Sequence, residues 1–351
     1  NYKTAIAVAG THGKTTTTSM IASILMAANA DPTISVGGIL PSIGGNIRVG
    51  RSGTFLTEAC EYTNSFLEFY PTVGIILNIE EDHMDFFRDL ADIRHSFRRF
   101  AQLIPQDGLL IINRDIEQYQ EITEGLACSV ITFGMNPESN YYASGLSYDT
   151  LAHASFMAVI DRTDEIPVQL AVPGAHNVSN ALAAIAVAKA LHISSEDIQK
   201  GLLSFTGTDR RFQYKGEING FTIIDDYAHH PTEIRATLEA ASLYPHREIL
   251  CVFQPHTYTR TKAFLSEFAE ALALADHIVL ADIYAARETD TLGISSQTLA
   301  AELKKLGADV HYFPSFQEIE KFLLKKCLHG DLCITMGAGN VINIGENLLN
   351  R

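Results

Sequence analysis

Within six residues, Gly10-Thr11-His12-Gly13-Lys14-Thr15 brings together two glycines, an ammonium group and a hydroxyl. The glycines let backbone N–H groups close around an anion, Lys14 adds a positive charge, and the Thr15 hydroxyl can ligate Mg²⁺. That is the chemistry of a phosphate grip. The eight-residue P-loop pattern asks for a glycine five positions before Gly13, where this chain has Val8, so the loop is a shortened variant. A tight turn that merely holds glycine and lysine is the plainer alternative.

Two further stretches place reactive side chains after short apolar runs. Thr54-Phe55-Leu56-Thr57 leads into Glu58-Ala59-Cys60-Glu61, and Val73-Gly74-Ile75-Ile76-Leu77-Asn78 leads into Glu80-Glu81-Asp82-His83-Met84-Asp85. Oxygen ligands from Thr15 and Glu58 suit Mg²⁺, while His83 is a less usual ligand that could serve a second cation or a phosphate oxygen. Taken singly, Glu58 is a solvated or capping carboxylate and His83 a satisfied loop histidine. Asp82 and Glu61 receive no role.

These groups need a scaffold. Ala5-Ile6-Ala7-Val8-Ala9 reads as a strand, and Met20, Ile21, Ile24, Leu25 and Ala28 follow the loop at helical spacing, so the unit is strand, phosphate loop, helix. Ligands gather at the carboxyl ends of strands in doubly wound sheets, which puts Lys14-Thr15, Glu58 and His83 on one edge. The glycines at 37, 38, 44 and 45 are either hairpin punctuation or a cover for substrate. A helix is expected over 88–104, a strand over 108–113 and a β-rich flank over 128–172. Asn177 and Asn180 then stand at i, i+3 at the start of an alanine-rich helix, as caps or as a pair of amides for a purine edge.

A second domain is expected from Gly207-Thr208-Asp209-Arg210-Arg211-Phe212 onward. Strands ending in Asp225-Asp226, Phe253-Gln254 and Ala281-Asp282 alternate with helices, with helix starts at Ser295 or Ser296 and at Ser315. Gly337-Ala338-Gly339 lacks the third glycine of the dinucleotide fingerprint, so NAD is not inferred. The expectation is an α/β protein with a P-loop-type domain and β-rich flank over 1–206, then a Rossmann-like domain over 207–351.

Composition narrows the function class. At 351 residues and 46% hydrophobic, two cores can form. A net charge of −15 argues against nucleic acid or an anionic membrane as general partner. No apolar run spans a bilayer and no signal peptide is legible, so a cytoplasmic protein is expected. The five cysteines form no CxxC pair or metal spacing, which suits a reducing compartment. The opening at Asn1, without methionine and three residues before a core-type strand, suggests a removed upstream part.

Four stretches resemble the Mur ligases, and most closely the branch that adds L-alanine: residues 10–15, 207–212, Asp225-Asp226-Tyr227-Ala228-His229-His230-Pro231-Thr232-Glu233-Ile234, and Phe253-Gln254-Pro255-His256-Thr257-Tyr258-Thr259-Arg260-Thr261. The first is shared across Mur ligases and folylpolyglutamate synthases, while the last two together are specific to that branch. The resemblance covers essentially the whole chain but lacks the family's N-terminal, UDP-binding domain. It implies a central ATP-binding domain, ATP and Mg²⁺ as cofactors, and UDP-N-acetylmuramate and L-alanine as substrates in peptidoglycan precursor synthesis. ATP would phosphorylate the muramoyl carboxylate, and the amine would then displace phosphate. Oligomeric state is left open.

By that resemblance Gly10, Thr11, His12, Gly13, Lys14, Thr15 and Thr16 form the phosphate site, with Lys14 on the transferred phosphoryl group. Thr15 and Glu58 hold one Mg²⁺ and His83 supports a second. Asn177 and Asn180 contact adenine, Arg211 a phosphate and Asp226 the ribose. His229, His256 and Arg260 line the amino-acid side, and some members carry arginine where this chain has Thr257. The catalytic set is Lys14, Glu58, His83, Arg211 and His229. ATP groups spread over both domains imply closure, with a hinge near 205–207. Several relatives use a carbamylated lysine in the central domain, yet no lysine stands between Lys14 and Lys189. The rival readings are a muropeptide-recycling ligase, a folylpolyglutamate-type ligase, and a non-catalytic nucleotide-binding module.

Overall fold

The structure, a computed structural model, describes residues 2–290 and 292–351; Asn1, on which the expectation of an upstream segment rests, lies outside them. Two compact units divide between Asp209 and Arg210, except that Thr150–Ala152 groups with the second.

In the first unit β1 (Thr4–Ala9) breaks at Gly10 and α1 (Lys14–Ala27) starts behind Gly13, whose φ of 82° an L side chain adopts only under strain. Then come β2 (Thr33–Leu40), β3 (Gly45–Arg48), β4 (Thr54–Glu58), β5 (Val73–Ile76), α2 (Leu90–Gln102), β6 (Leu109–Asn113) and the short α3 (Gln120–Thr123). The β-rich flank is β7 (Ser129–Gly134), β8 (Tyr141–Tyr148), β9 (His153–Ile160) and β10 (Asp164–Pro173), followed by α4 (His176–Ala190) and α5 (Ser195–Ser204). All ten strands join one sheet in the order β10-β9-β8-β7-β6-β5-β1-β4-β2-β3.

The sheet order places the chemistry. β1 pairs in parallel with β4 on one side and β5 on the other, so the loop, Glu58 and the segment after Leu77 leave the sheet at the same edge. Alternation along β1 sends Ile6 and Val8 to a core shared with α1, α4 and α5, and Ala7 and Ala9 to the opposite core. α2 fills that second core with Ile93, Phe97, Phe100 and Ala101, a single helical face. Phe66 stacks on Phe100 at 5.0 Å; both rings are fully buried, each stabilising the fold by about 2 kcal/mol. The glycines at 37 and 38 lie in β2 and those at 44 and 45 close its hairpin to β3.

The second unit is built on a sheet ordered β11-β12-β16-β13-β14-β15, parallel except for the edge strand β11. Its elements are β11 (Gln213–Ile218), β12 (Phe221–Asp226), α6 (Pro231–Leu243), β13 (Ile249–Phe253), α7 (Tyr258–Ala263), α8 (Leu265–Leu272), β14 (His277–Leu280), α9 (Ser296–Lys305), β15 (Val310–Tyr312), α10 (Phe316–Lys326), β16 (Leu332–Met336) and α11 (Ile342–Leu349). Both faces of the sheet are buried: Ile249, Cys251 and Phe253 face one core, Leu250 and Val252 the other. The layout is Rossmann-like. Ser295 and Ser315 cap α9 and α10, with a full capping box at the former. Among the described residues no helix is long and apolar enough to cross a membrane. The cysteines are free thiols, Cys60 exposed and the rest buried.

Candidate active site

The loop is held by the end of the neighbouring strand. Thr11 N donates to Asn78 O at 3.2 Å, His12 N donates to Asn78 Oδ1 at 2.7 Å, and Asn78 Nδ2 returns a bond to His12 O at 3.1 Å. Thr11 Oγ1 accepts from Glu80 N at 2.9 Å, and His12 Nε2 lies 3.5 Å from Glu80 Oε2. A Cβ on Gly10 would meet Leu77 Cβ at 2.9 Å, and one on Gly13 would meet Asn180 Oδ1 at 2.7 Å. Only glycine permits this closeness. With the amides of Thr11 and His12 engaged, those of Lys14, Thr15 and the half-buried Thr16 open the first turn of α1, where helical N–H groups lack intrahelical partners.

Lys14 is turned back onto this loop. Its Nζ donates to Gly10 O, to Thr11 O at 3.0 Å, and to both carboxylate oxygens of Glu61 at 3.2 and 2.9 Å. Burial alone would lower the ammonium's pKa; Glu61, with contributions from Cys60 and Glu58, more than offsets this, so Lys14 stays charged above its ordinary range. Glu61 itself is 2% exposed.

Two groups of ligating atoms flank the lysine. Thr15 Oγ1 donates to Glu58 Oε2 at 3.1 Å, and Glu58 Oε1 accepts from Gly37 N. A Cβ on Gly37 would meet Glu58 Oε2 at 2.8 Å, so the β2 glycine lets the hairpin seat the carboxylate. On the other side His83, with φ 54°, places Nε2 3.7 Å from Glu61 Oε1 and 3.8 Å from Asp82 Oδ2, while the Tyr62 ring packs against its ring at 4.5 Å, tilted by 32°. Thr15 thus meets Glu58, and His83 meets Glu61 and Asp82. Hard oxygen donors from a hydroxyl and a carboxylate fit Mg²⁺. Glu61 and Asn78 were missed from sequence; Asn78 carried the signal of a polar residue where a buried strand stops.

At the start of α4, Asn177 and Asn180 are not the cap. Ala175 holds that position, Asn177 Nδ2 donates to Pro173 O at 2.7 Å, and Asn180 Nδ2 donates to Asn177 Oδ1 at 3.0 Å. Asn180 thereby lies directly over Gly13.

In the second unit the paired arginines differ. Arg210 is committed to Asp225 Oδ2 at 3.0 Å, Gly337 O at 2.6 Å and Gly339 O at 3.2 Å. Arg211 has a looser ion pair with Glu233 at 3.7 Å and lies over the Tyr227 ring at 5.5 Å. Asp226 is 6% exposed; its oxygens accept from Ala228 N at 2.7 Å and Phe212 N at 2.8 Å, and burial, against Arg211, pushes its pKa up to about 6. That carboxylate braces the turn after β12.

His229 Nδ1 lies 3.0 Å from Tyr227 O and 3.2 Å from Glu233 Oε2, and its ring meets His256 edge-on at 5.8 Å. Arg260 NH1 is 3.2 Å from His256 Nδ1. Burial first, then His229 and Arg260, push His256 down to about 4, so it is a neutral imidazole at neutral pH. These three side chains form one cluster.

Comparison with known proteins agrees with both halves. The profile of the Mur ligase middle domain matches residues 8–188, and that of the Mur ligase glutamate ligase domain matches 210–339. A UDP-N-acetylmuramate–L-alanine ligase of Agathobacter rectalis is 60% identical over 351 residues, covering all of this chain and 76% of that protein. One from Lachnospira eligens is 58% identical over 349 residues, covering 99% and 76%. The crystal structure of the alanine ligase MurC from Thermotoga maritima superposes with a TM-score of 0.83 at 30% identity, covering 99% of this chain and 75% of that one. A murein peptide ligase from Psychrobacter arcticus gives 0.74 at 25%, covering 99% and 76%.

Proposed function

The chain belongs to the Mur ligase family, and from that premise we propose that it carries out the ATP-dependent joining of L-alanine to UDP-N-acetylmuramate in peptidoglycan precursor synthesis, a cytoplasmic reaction. The observation that carries this reading is the contact of Thr15 with Glu58 at 3.1 Å beside Lys14, on a chain 60% identical to an alanine ligase along its whole length.

The first unit handles phosphate. The amides at the start of α1 take the phosphate oxygens of ATP, and Lys14 follows the phosphoryl group as it passes to the muramoyl carboxylate. Asn180, over Gly13, and Asn177 take the adenine edge. Thr15 and Glu58 would hold Mg²⁺ and His83 would support a second ion; bound there, the metal would neutralise charge on the phosphates. Glu61 keeps Lys14 and His83 in register. No covalent enzyme intermediate is needed, since positioning and charge compensation supply the acceleration.

In the second unit Arg211, less committed than Arg210, takes the phosphate role. His229 donates Nδ1–H toward Tyr227 O and Glu233, which leaves Nε2 as the basic nitrogen. It accepts the proton that L-alanine's ammonium must lose before its nitrogen attacks the acyl carbon; phosphate departs with the P–O bond intact. His256 and Arg260 orient the amino acid. Asp226 acts at one remove, by shaping the turn that carries His229.

The test is ADP release by the ligase at its full natural length, with UDP-N-acetylmuramate and single amino acids or a tripeptide, and Lys14→Ala as blank. Release driven by L-alanine supports the proposal; release driven by the tripeptide alone refutes it.

A further inference from the structure

The amino-acid cluster of the second unit holds one departure from the family pattern, Thr257 in place of the arginine of some members. Thr257 is uncharged and, at φ 66°, caps α7 by accepting from Arg260 N at 3.4 Å. An α-amino acid brings a carboxylate, and in the cluster of His229, His256 and Arg260 one histidine is held neutral while Arg260 carries the guanidinium.

The loop after β14 is fastened across this turn. Thr257 N donates to Tyr284 O at 2.9 Å, Tyr284 N donates to Pro255 O at 2.8 Å, and the Tyr284 ring stacks on His256 at 5.7 Å and 20°. Glu288 accepts from Tyr258 N at 2.7 Å, from Thr259 N at 3.0 Å and from the Thr259 hydroxyl. Arg287 is an exposed residue between Ala286, with φ 53°, and Glu288, whose carboxylate is fastened to the start of α7. Its charge is felt at His256, adding to the larger effects of burial, His229 and Arg260. We propose that Arg287 binds the carboxylate of the amino-acid substrate, supplying from the loop after β14 the cation that position 257 lacks. It is a specificity residue: a substrate with an amide in place of the carboxylate forfeits this pairing. The inference rests on the alanine-ligase reading.

The experiment compares L-alanine with L-alaninamide in ADP release by the full-length ligase, for wild type, Arg287→Ala, Arg287→Lys and Arg287→Ala/Thr257→Arg. Arg287→Ala is expected to raise the KM for L-alanine about 10- to 100-fold, the worth of a charge-assisted bond, with kcat and the KM for ATP little changed. Preference over L-alaninamide shrinks in parallel, and both Lys at 287 and Arg at 257 restore part of it. An Arg287→Ala enzyme with unaltered KM and unaltered preference overturns the inference while leaving the ligase reading intact. A wild type that ignores L-alanine overturns both.

Discussion

The Lys14 ammonium lies 2.9 Å from Oε2 of Glu61, a carboxylate that is itself within 3.7 Å of His83 Nε2. Glu61 is buried, so removing it leaves a shielded cation with carbonyl oxygens as its remaining partners. Glu61→Ala is expected to cost about 3 kcal/mol of folding stability. In the ligase assay kcat falls at least about tenfold, because the lysine is no longer aimed. Urea unfolding checks the first number, and a loss under about 0.5 kcal/mol, typical of a surface site, contradicts the assignment.

Gly13 and Gly44 both have positive φ, 82° and 68°, but only Gly13 faces a neighbour. Gly13→Ala pushes Cβ to 2.7 Å from Asn180 Oδ1, adding a clash to about 1–3 kcal/mol of backbone strain. Gly44→Ala carries the backbone cost alone, about 1–2 kcal/mol. Binding of a fluorescent ATP analogue is expected to vanish in the first variant and persist in the second; equal binding in both contradicts the role given to the loop.

Glu58 is expected to be the stronger half of the first metal site. Glu58→Gln keeps an oxygen near Thr15 and Gly37 N but removes the charge, and the Mn²⁺ affinity of the nucleotide-loaded ligase, read by electron paramagnetic resonance, falls at least about tenfold. Unchanged affinity would move the ion elsewhere.

The depressed pKa of His256 fixes the sign of a pH effect. In the unfolded chain the imidazole takes its proton near the ordinary 6.5, and in the folded chain only near 4. Its contribution is therefore fully present above pH 6.5 and is lost as pH falls from there to about 4. His256→Gln should lose less stability than wild type between pH 7 and pH 5 in urea titrations. Parallel losses contradict a neutral, half-buried His256.

Sequence carried the frame of this site farther than its contacts. β1, the loop and α1 were legible because an apolar run, a glycine turn and helical spacing agree with one another. Glu58 and His83 followed from strand ends. Glu61 did not, because it is placed by a 3₁₀ stretch, Tyr62–Glu68, with left-handed residues at Thr63 and Asn64, and such irregular backbone has no period to read. Gly37 looked equally like a hairpin or a cover, and it is a strand residue whose N–H seats Glu58. Asp226 shows the reverse limit: a motif names the residue, while the two backbone amides that hold its carboxylate depend on the fold of the turn.

The most direct measurement follows the oxygen. UDP-N-acetylmuramate labelled with ¹⁸O in its carboxylate is turned over with ATP and L-alanine, and the released phosphate is analysed by mass spectrometry. Phosphoryl transfer to that carboxylate, steered by Lys14, predicts one ¹⁸O in each phosphate at full labelling; phosphate free of ¹⁸O would contradict it.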